Sequence, residues 1–181
     1  MPALATRFLF WFLCLGVALV SYRILLLGIE TGFPDMLHHL PHAGLFWTHV
    51  LAAGLALALM PFQFWQRLRT RRRGLHRWLG RTYGLAVLAG GLSGLYMAFF
   101  AKTGAIAGAG FFLLALAWLT TTTIAVLRAR AEDIDGHRRW MIRSAALTFA
   151  AVTLRLYLPL AMILGLPFDA SYTVIAWACW V

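Results

Sequence analysis

Five apolar runs, each close to the roughly 20 residues a helix needs to cross the hydrocarbon of a bilayer, leave this chain little choice of fold. They lie at about residues 7–29, 43–65, 77–100, 109–127 and 140–165, and a sixth starts at Ser171 but reaches only Val181, too short to cross. In hydrocarbon every backbone N–H and C=O must find its partner inside the segment, so such runs are expected to be helices. The expectation is therefore an all-α, polytopic transmembrane bundle, one domain over residues 1–181, with five full spans and a partial sixth. Composition agrees: 62% of residues are hydrophobic and 12% charged, against about a quarter charged in soluble domains. The first run carries Arg23 and has no small-residue cleavage site before Glu30, so it reads as a retained helix rather than a signal peptide.

The net charge of +10 would suggest nucleic acid in a soluble chain. Here the arginines flank apolar runs, which points to membrane lipids and excludes nucleic acid as the partner. Lys and Arg collect on the cytoplasmic side of bacterial inner (plasma) membranes. Under alternating threading, Arg7, the group from Arg67 to Arg81 and the group from Arg128 to Arg143 share one side, and Lys102 lies on the other. The N-terminus is thus expected in the cytoplasm. Cys14 and Cys179 sit in separate apolar runs without metal-site spacing, as small packed hydrophobes do.

A short motif recurs. "GLHRWLGRTY" at 74–83 is echoed by "GHRRWMIRSA" at 136–145, and each copy opens a helix that runs outward. Residues 43–100 and 109–165 therefore look like two parallel copies of one helix pair. One reading of the motif is anchoring, with Trp78 and Trp140 at headgroup level and arginines on lipid phosphates. The other gathers His76, His137, Arg77, Arg81, Arg139 and Arg143 into a cationic site for a carboxylate, a phosphate or haem propionates, the histidines serving as ligands.

The charges inside the runs are more telling. Arg155 lies deep in the fifth run, Arg23 in the outer part of the first, and His49 near their depth in the second. An arginine at mid-membrane costs at least about 2.5–3.5 kcal/mol, so it normally has a partner and a purpose. Yet all six acids, Glu30, Asp35, Glu132, Asp133, Asp135 and Asp169, fall in loops or at their edges. Arg155 must bond backbone carbonyls, reach Asp35 or Asp169, or take its counter-ion from a ligand. Helical spacing puts Ala52, Ala53, Ala56, Met60 and Gln63 on the face of His49, and Ser144, Thr148 and Ala151 on that of Arg155. Gly80, Gly84, Gly90, Gly91 and Gly94 give the third run small-residue tracks that suit close helix packing, and the hydroxyls of Thr120 to Thr123 can bond back to their own helix. No P-loop, GxSxG, HExxH or carboxylate pair is present, which leaves hydrolase and nucleotide-driven chemistry unsupported.

"HVLAAGLALALMPFQF", "HRWLGRTY" and "HRRWMIRSAALTFAAVTLR" together resemble the bacterial membrane proteins grouped as domain of unknown function 2306, over roughly residues 45–165. The resemblance implies a multi-helix membrane domain whose characteristic positions include His49, Gln63, His76, Arg77, Gly80, His137, Trp140, Arg143 and Arg155. It implies no activity. More loosely, histidines near both faces resemble those of b-type membrane cytochromes, although His49 lacks an intramembrane histidine partner unless His38, His39 or His42 folds back from its loop.

The leading expectation is a redox cofactor, haem b, held by His49, His76 and His137 as metal ligands, with Arg23 and Arg155 neutralising propionates or a quinone oxygen, in an electron-transfer protein that works with a quinone. Its rival is a transporter or binder of an anionic or lipid-like molecule, held by Arg155 and Arg23 with His49 sensing protons. The third is a membrane assembly or scaffold subunit. The threading has its own test: a reporter enzyme active only outside the cytoplasm should be active when fused after Lys102 and silent when fused after Arg72, and the reverse pattern would invert the topology.

Overall fold

The computed structural model describes residues 2–181, with side chains from Leu4 onward. Within them, helical segments follow one another: α1 (Pro2–Ser21), α2 (Ile24–Gly32), a 3-10 segment (Pro34–His42), α3 (Ala43–Phe64), α4 (Gln66–Arg71), α5 (Arg73–Ala98), α6 (Ala105–Arg130), α7 (Ile134–Ile163) and α8 (Phe168–Ala178). No strand occurs among the described residues. At about 1.5 Å per residue, α3, α5, α6 and α7 are each long enough to cross a bilayer. Their ends are set locally: Gly104, at φ 93°, turns the chain into α6. Asp133 caps α7 by accepting from the Gly136 N–H at 2.8 Å and pairs with Arg128 at 3.2 Å. That N–H and the arginine hold the Asp133 carboxyl below its ordinary value.

The four long helices close into a ring in which α3 packs on α5, α5 on α6, α6 on α7 and α7 on α3. Side-chain pairings fix their directions. His49 and Gln63 of α3 face Gly94 and Gly80 of α5, so the two run antiparallel. Gly91 and Gly84 of α5 face Leu119 and Val126 of α6, and Trp118 and Thr122 of α6 bond Thr148 and Ser144 of α7. The glycines of α5 thus open two faces, one toward α3 and one toward α6, and this helix lies between both partners. α1 lies against α3 and α7. α8 docks on α6 and α7 through Trp177 Nε1 to the Ile106 carbonyl at 3.1 Å and Thr153 Oγ1 to the Cys179 carbonyl at 2.6 Å.

The middle of the ring holds polar groups. Tyr83, 1% exposed, has its phenol oxygen 2.8 Å from Ser144 Oγ and 2.7 Å from Thr148 Oγ1. Ser144 Oγ is 2.6 Å from Thr122 Oγ1, and the Trp118 N–H donates to Thr148 Oγ1 at 2.8 Å. Thr122 and Thr148 also bond back to the carbonyls of Trp118 and Ser144 at 2.7 and 2.9 Å. Around this knot pack Cys14, Ala18, Ala56, Leu57, Met60, Ala86, Val87 and Val152. Large apolar side chains such as Phe8, Phe12, Leu85, Leu116 and Leu160 point outward, as lipid-facing residues must.

Two expectations need correction. The run at 7–29 is not one helix: it breaks between Ser21 and Ile24 and kinks again at Gly28, whose φ of 67° needs a residue without Cβ. The Tyr22 hydroxyl donates to the Leu51 carbonyl at 3.1 Å, and Arg23 Nε to the Gly32 carbonyl at 2.7 Å, which fastens the broken stretch. Second, four helical stretches, beginning at Leu4, Pro34, Ala105 and Ile134, are long and apolar enough to cross a membrane. The run expected at 77–100 forms the 26-residue α5, but the glycines that let it pack at the centre and the arginines at its start lower its hydropathy.

Two substitutions test this packing through the thermal midpoint in detergent. Tyr83→Phe removes the two hydrogen bonds that tie α5 to α7 and should destabilise by about 1–3 kcal/mol. A Cβ on Gly108 would lie 2.6 Å from the Ala98 carbonyl oxygen, whereas one on Gly84 meets only Val126 at 4.0 Å. Gly108→Ala should therefore lower the midpoint, and Gly84→Ala should leave it unchanged or raise it.

Candidate functional site

The bundle has an arginine-rich end, where α3 and α6 finish and α5 and α7 begin, and a far end. At the far end His49 lies against α5, its Nδ1 2.8 Å from the Gly90 carbonyl oxygen. A carbonyl only accepts, so Nδ1 carries a proton, and in the neutral ring Nε2 keeps its lone pair. Gly94 makes room for the ring, since a Cβ there would come within 3.1 Å of it. Across from His49, within electrostatic reach, is Arg155 of α7. Its guanidinium donates to the Ala151 carbonyl of its own helix at 3.0 Å. Among the described residues Arg128 with Asp133 is the one ion pair, so Arg155 has a backbone partner and no carboxylate.

Three further groups face this pair. Arg23, at the α1–α2 break, lies over the Phe33 ring at 4.6 Å and within electrostatic reach of Arg155. Tyr172 of α8 is near both Arg155 and Asp35. His39 of the 3-10 segment is 4% exposed, stacks on Phe46 and lies near His49, and its buried Nδ1 has no hydrogen-bond partner among the described residues. The loop histidine thus folds back toward the intramembrane one. Of the residues assigned from sequence, Arg23, His49 and Arg155 are brought together. His39 and Tyr172 join them without a motif to announce them: "HHLPH" reads as a polar loop, and Tyr172 belongs to the run judged too short to cross.

At the arginine-rich end His76 and His137 come within electrostatic reach of each other, with Arg69 beside His76. Burial, then Arg69 and His137, hold the His76 imidazole below its ordinary value, so it is neutral at pH 7. His137 Nδ1 lies 2.9 Å from the Ala125 carbonyl oxygen, to which it donates. Gln63 ends α3 against Gly80. Arg77, Arg81, Arg139 and Arg143 all stand exposed around this mouth, and Arg143 covers the Trp140 ring at 4.4 Å. Among the described residues no group of three or more His, Cys, Asp or Glu side chains is arranged to hold a metal ion.

The far end is thus a convergence of cationic and imidazole groups suited to an anion, and the arginine-rich end carries exposed arginines together with two histidines and a carboxamide. No curated protein and no solved structure matches the chain, so the likeness to b-type cytochromes finds no support there. A family model described as predicted membrane protein (DUF2306) matches residues 46–181, which takes in α5 to α8 and nearly all of α3, with His49, Gln63, His76, His137 and Arg155 among them. The chain is a membrane protein of the DUF2306 family.

Proposed function

We propose that this protein binds an anion-bearing, lipid-like molecule at the far end of its bundle, in the outer half of a bacterial inner membrane whose cytoplasmic face meets the arginine-rich end, and that it carries or presents that molecule. The observation behind this reading is Arg155: a guanidinium deep in α7 whose hydrogen bond goes to its own helix and which has no carboxylate partner among the described residues. A charge so placed is costly, and an anion that completes its hydrogen bonds offsets that cost. Arg23 supplies a second cation. Tyr172 and the histidines offer hydrogen bonds. The apolar faces around them suit an acyl tail.

A fluorophore-labelled fatty acid tests this with protein in nanodiscs. Binding should weaken at least tenfold in Arg155→Gln, and Arg155→Lys should retain part of it. Equal affinity in a folded Arg155→Gln would remove the reading.

One observation favours a second reading, haem b with electron transfer to or from a quinone. His49 has the tautomer of a metal ligand, Nδ1–H on a carbonyl and Nε2 free, and His39 lies near it. In that case protein expressed with ample haem supply shows a Soret band and sharpened bands after dithionite reduction, both lost in His49→Ala. A colourless, folded protein leaves the anion reading alone.

A further inference from the structure

Two polar atoms at the arginine-rich end are sealed from solvent and have no hydrogen-bond partner among the described residues: Nε2 of Gln63 and Nδ1 of His76. They belong to converging elements. Gln63 lies in the last turn of α3, and its Oε1 is 3.4 Å from where a Cβ on Gly80 would stand. Gly80 lies one turn beyond His76 on the same face of α5, so the absence of a side chain there lets the carboxamide settle over the helix on the face that carries His76. A carboxamide nitrogen only donates, and a neutral imidazole can place its proton on Nδ1. Each buried donor left unpaired is unfavourable, and two on facing helices point to a shared acceptor.

The surroundings say which acceptor. Seven arginines occur between Arg67 and Arg81, and no acid lies between Asp35 and Glu132. Arg69 and His137 are the titratable groups that act on His76, and neither can supply an acceptor charge. An oxygen carrying negative charge and several lone pairs satisfies both donors and the positive field together, which a carbonyl or a single water does less well.

We infer that Gln63 and His76 form a phosphate site between α3 and α5, in which the Gln63 amide and the His76 ring N–H grip one phosphoryl group beside Arg69. This site is independent of the one proposed around Arg155. The phosphate can come from an anionic lipid headgroup, since exposed arginines at the end of a membrane helix suit lipid phosphates, or from free phosphate.

The experiment uses the full chain in uncharged detergent with two probes. Retention of phosphatidylglycerol over phosphatidylcholine is read by native mass spectrometry, and inorganic phosphate is titrated calorimetrically. Gln63→Glu exchanges the donor for a repelling acceptor and should weaken binding at least tenfold. His76→Gln, which keeps a donor, should bind more tightly than His76→Leu, and this pair carries the test if Gln63→Glu does not fold. Gln63-dependent retention of phosphatidylglycerol without a phosphate isotherm assigns the site to lipid, and the converse to free phosphate. If neither probe binds, or if folded variants bind both as the parent does, the two donors are simply hydrated and the inference falls.

Discussion

Within a bilayer, helices gain little from meeting one another rather than lipid, so what holds them in register is close packing of small residues and hydrogen bonds between side chains. Tyr83 supplies both the position and the bonds. Its phenol on α5 meets Ser144 and Thr148 on α7, which in turn hold Thr122 and Trp118 on α6. With α5 locked to α6 and α7, its glycines are presented at fixed heights, and α3 settles with His49 against Gly94 and Gln63 against Gly80. A slip of one turn between α3 and α5 would bring ordinary side chains opposite these residues and close both ends of the bundle.

The two ends then carry different chemistry at a set separation. From His76 to Gly94, the glycine that receives the His49 ring, is eighteen residues of α5, about 27 Å by helix rise and close to the thickness of bilayer hydrocarbon. One end gathers exposed arginines around neutral donors. The other holds a single guanidinium from α7 among imidazoles, a phenol and the Arg23 of a broken helix. The knot between them is built of groups without formal charge, so neither end is neutralised by the other.

Much of this was legible in the chain. Runs of sufficient length had to become helices, and the helix pairs around Gly80, Gly90 and Gly94 follow from small-residue spacing. Threonines in α6 bond back to Ala117 and Trp118 as their chemistry suggests. The shared depth of Arg23, His49 and Arg155 could be counted from residue positions. Other features depended on contacts between distant segments. The break near Tyr22 lies inside an apolar run and rests on bonds to Leu51 and Gly32. His39 is buried with its ring stacked on Phe46, a contact made across the turn into α3. Tyr83 sits in a motif whose histidine and arginines drew the eye, whereas its own role needed Ser144 sixty-one residues away.

The knot has an electrical consequence. Read as a line, the Trp118 carbonyl, Thr122, Ser144, Tyr83, Thr148 and the Ser144 carbonyl are joined by five short links, from 2.6 to 2.9 Å. Thr122 and Thr148 donate outward to the two carbonyls, so the Ser144 and Tyr83 protons share the three inner links and one of those three is always without a proton. Each shift of that vacancy turns O–H dipoles over while every heavy atom stays in place. At the depth where hydrocarbon should respond least, this bundle carries a polarisable core, tilting its dipoles with whatever field the two charged ends and the membrane potential impose.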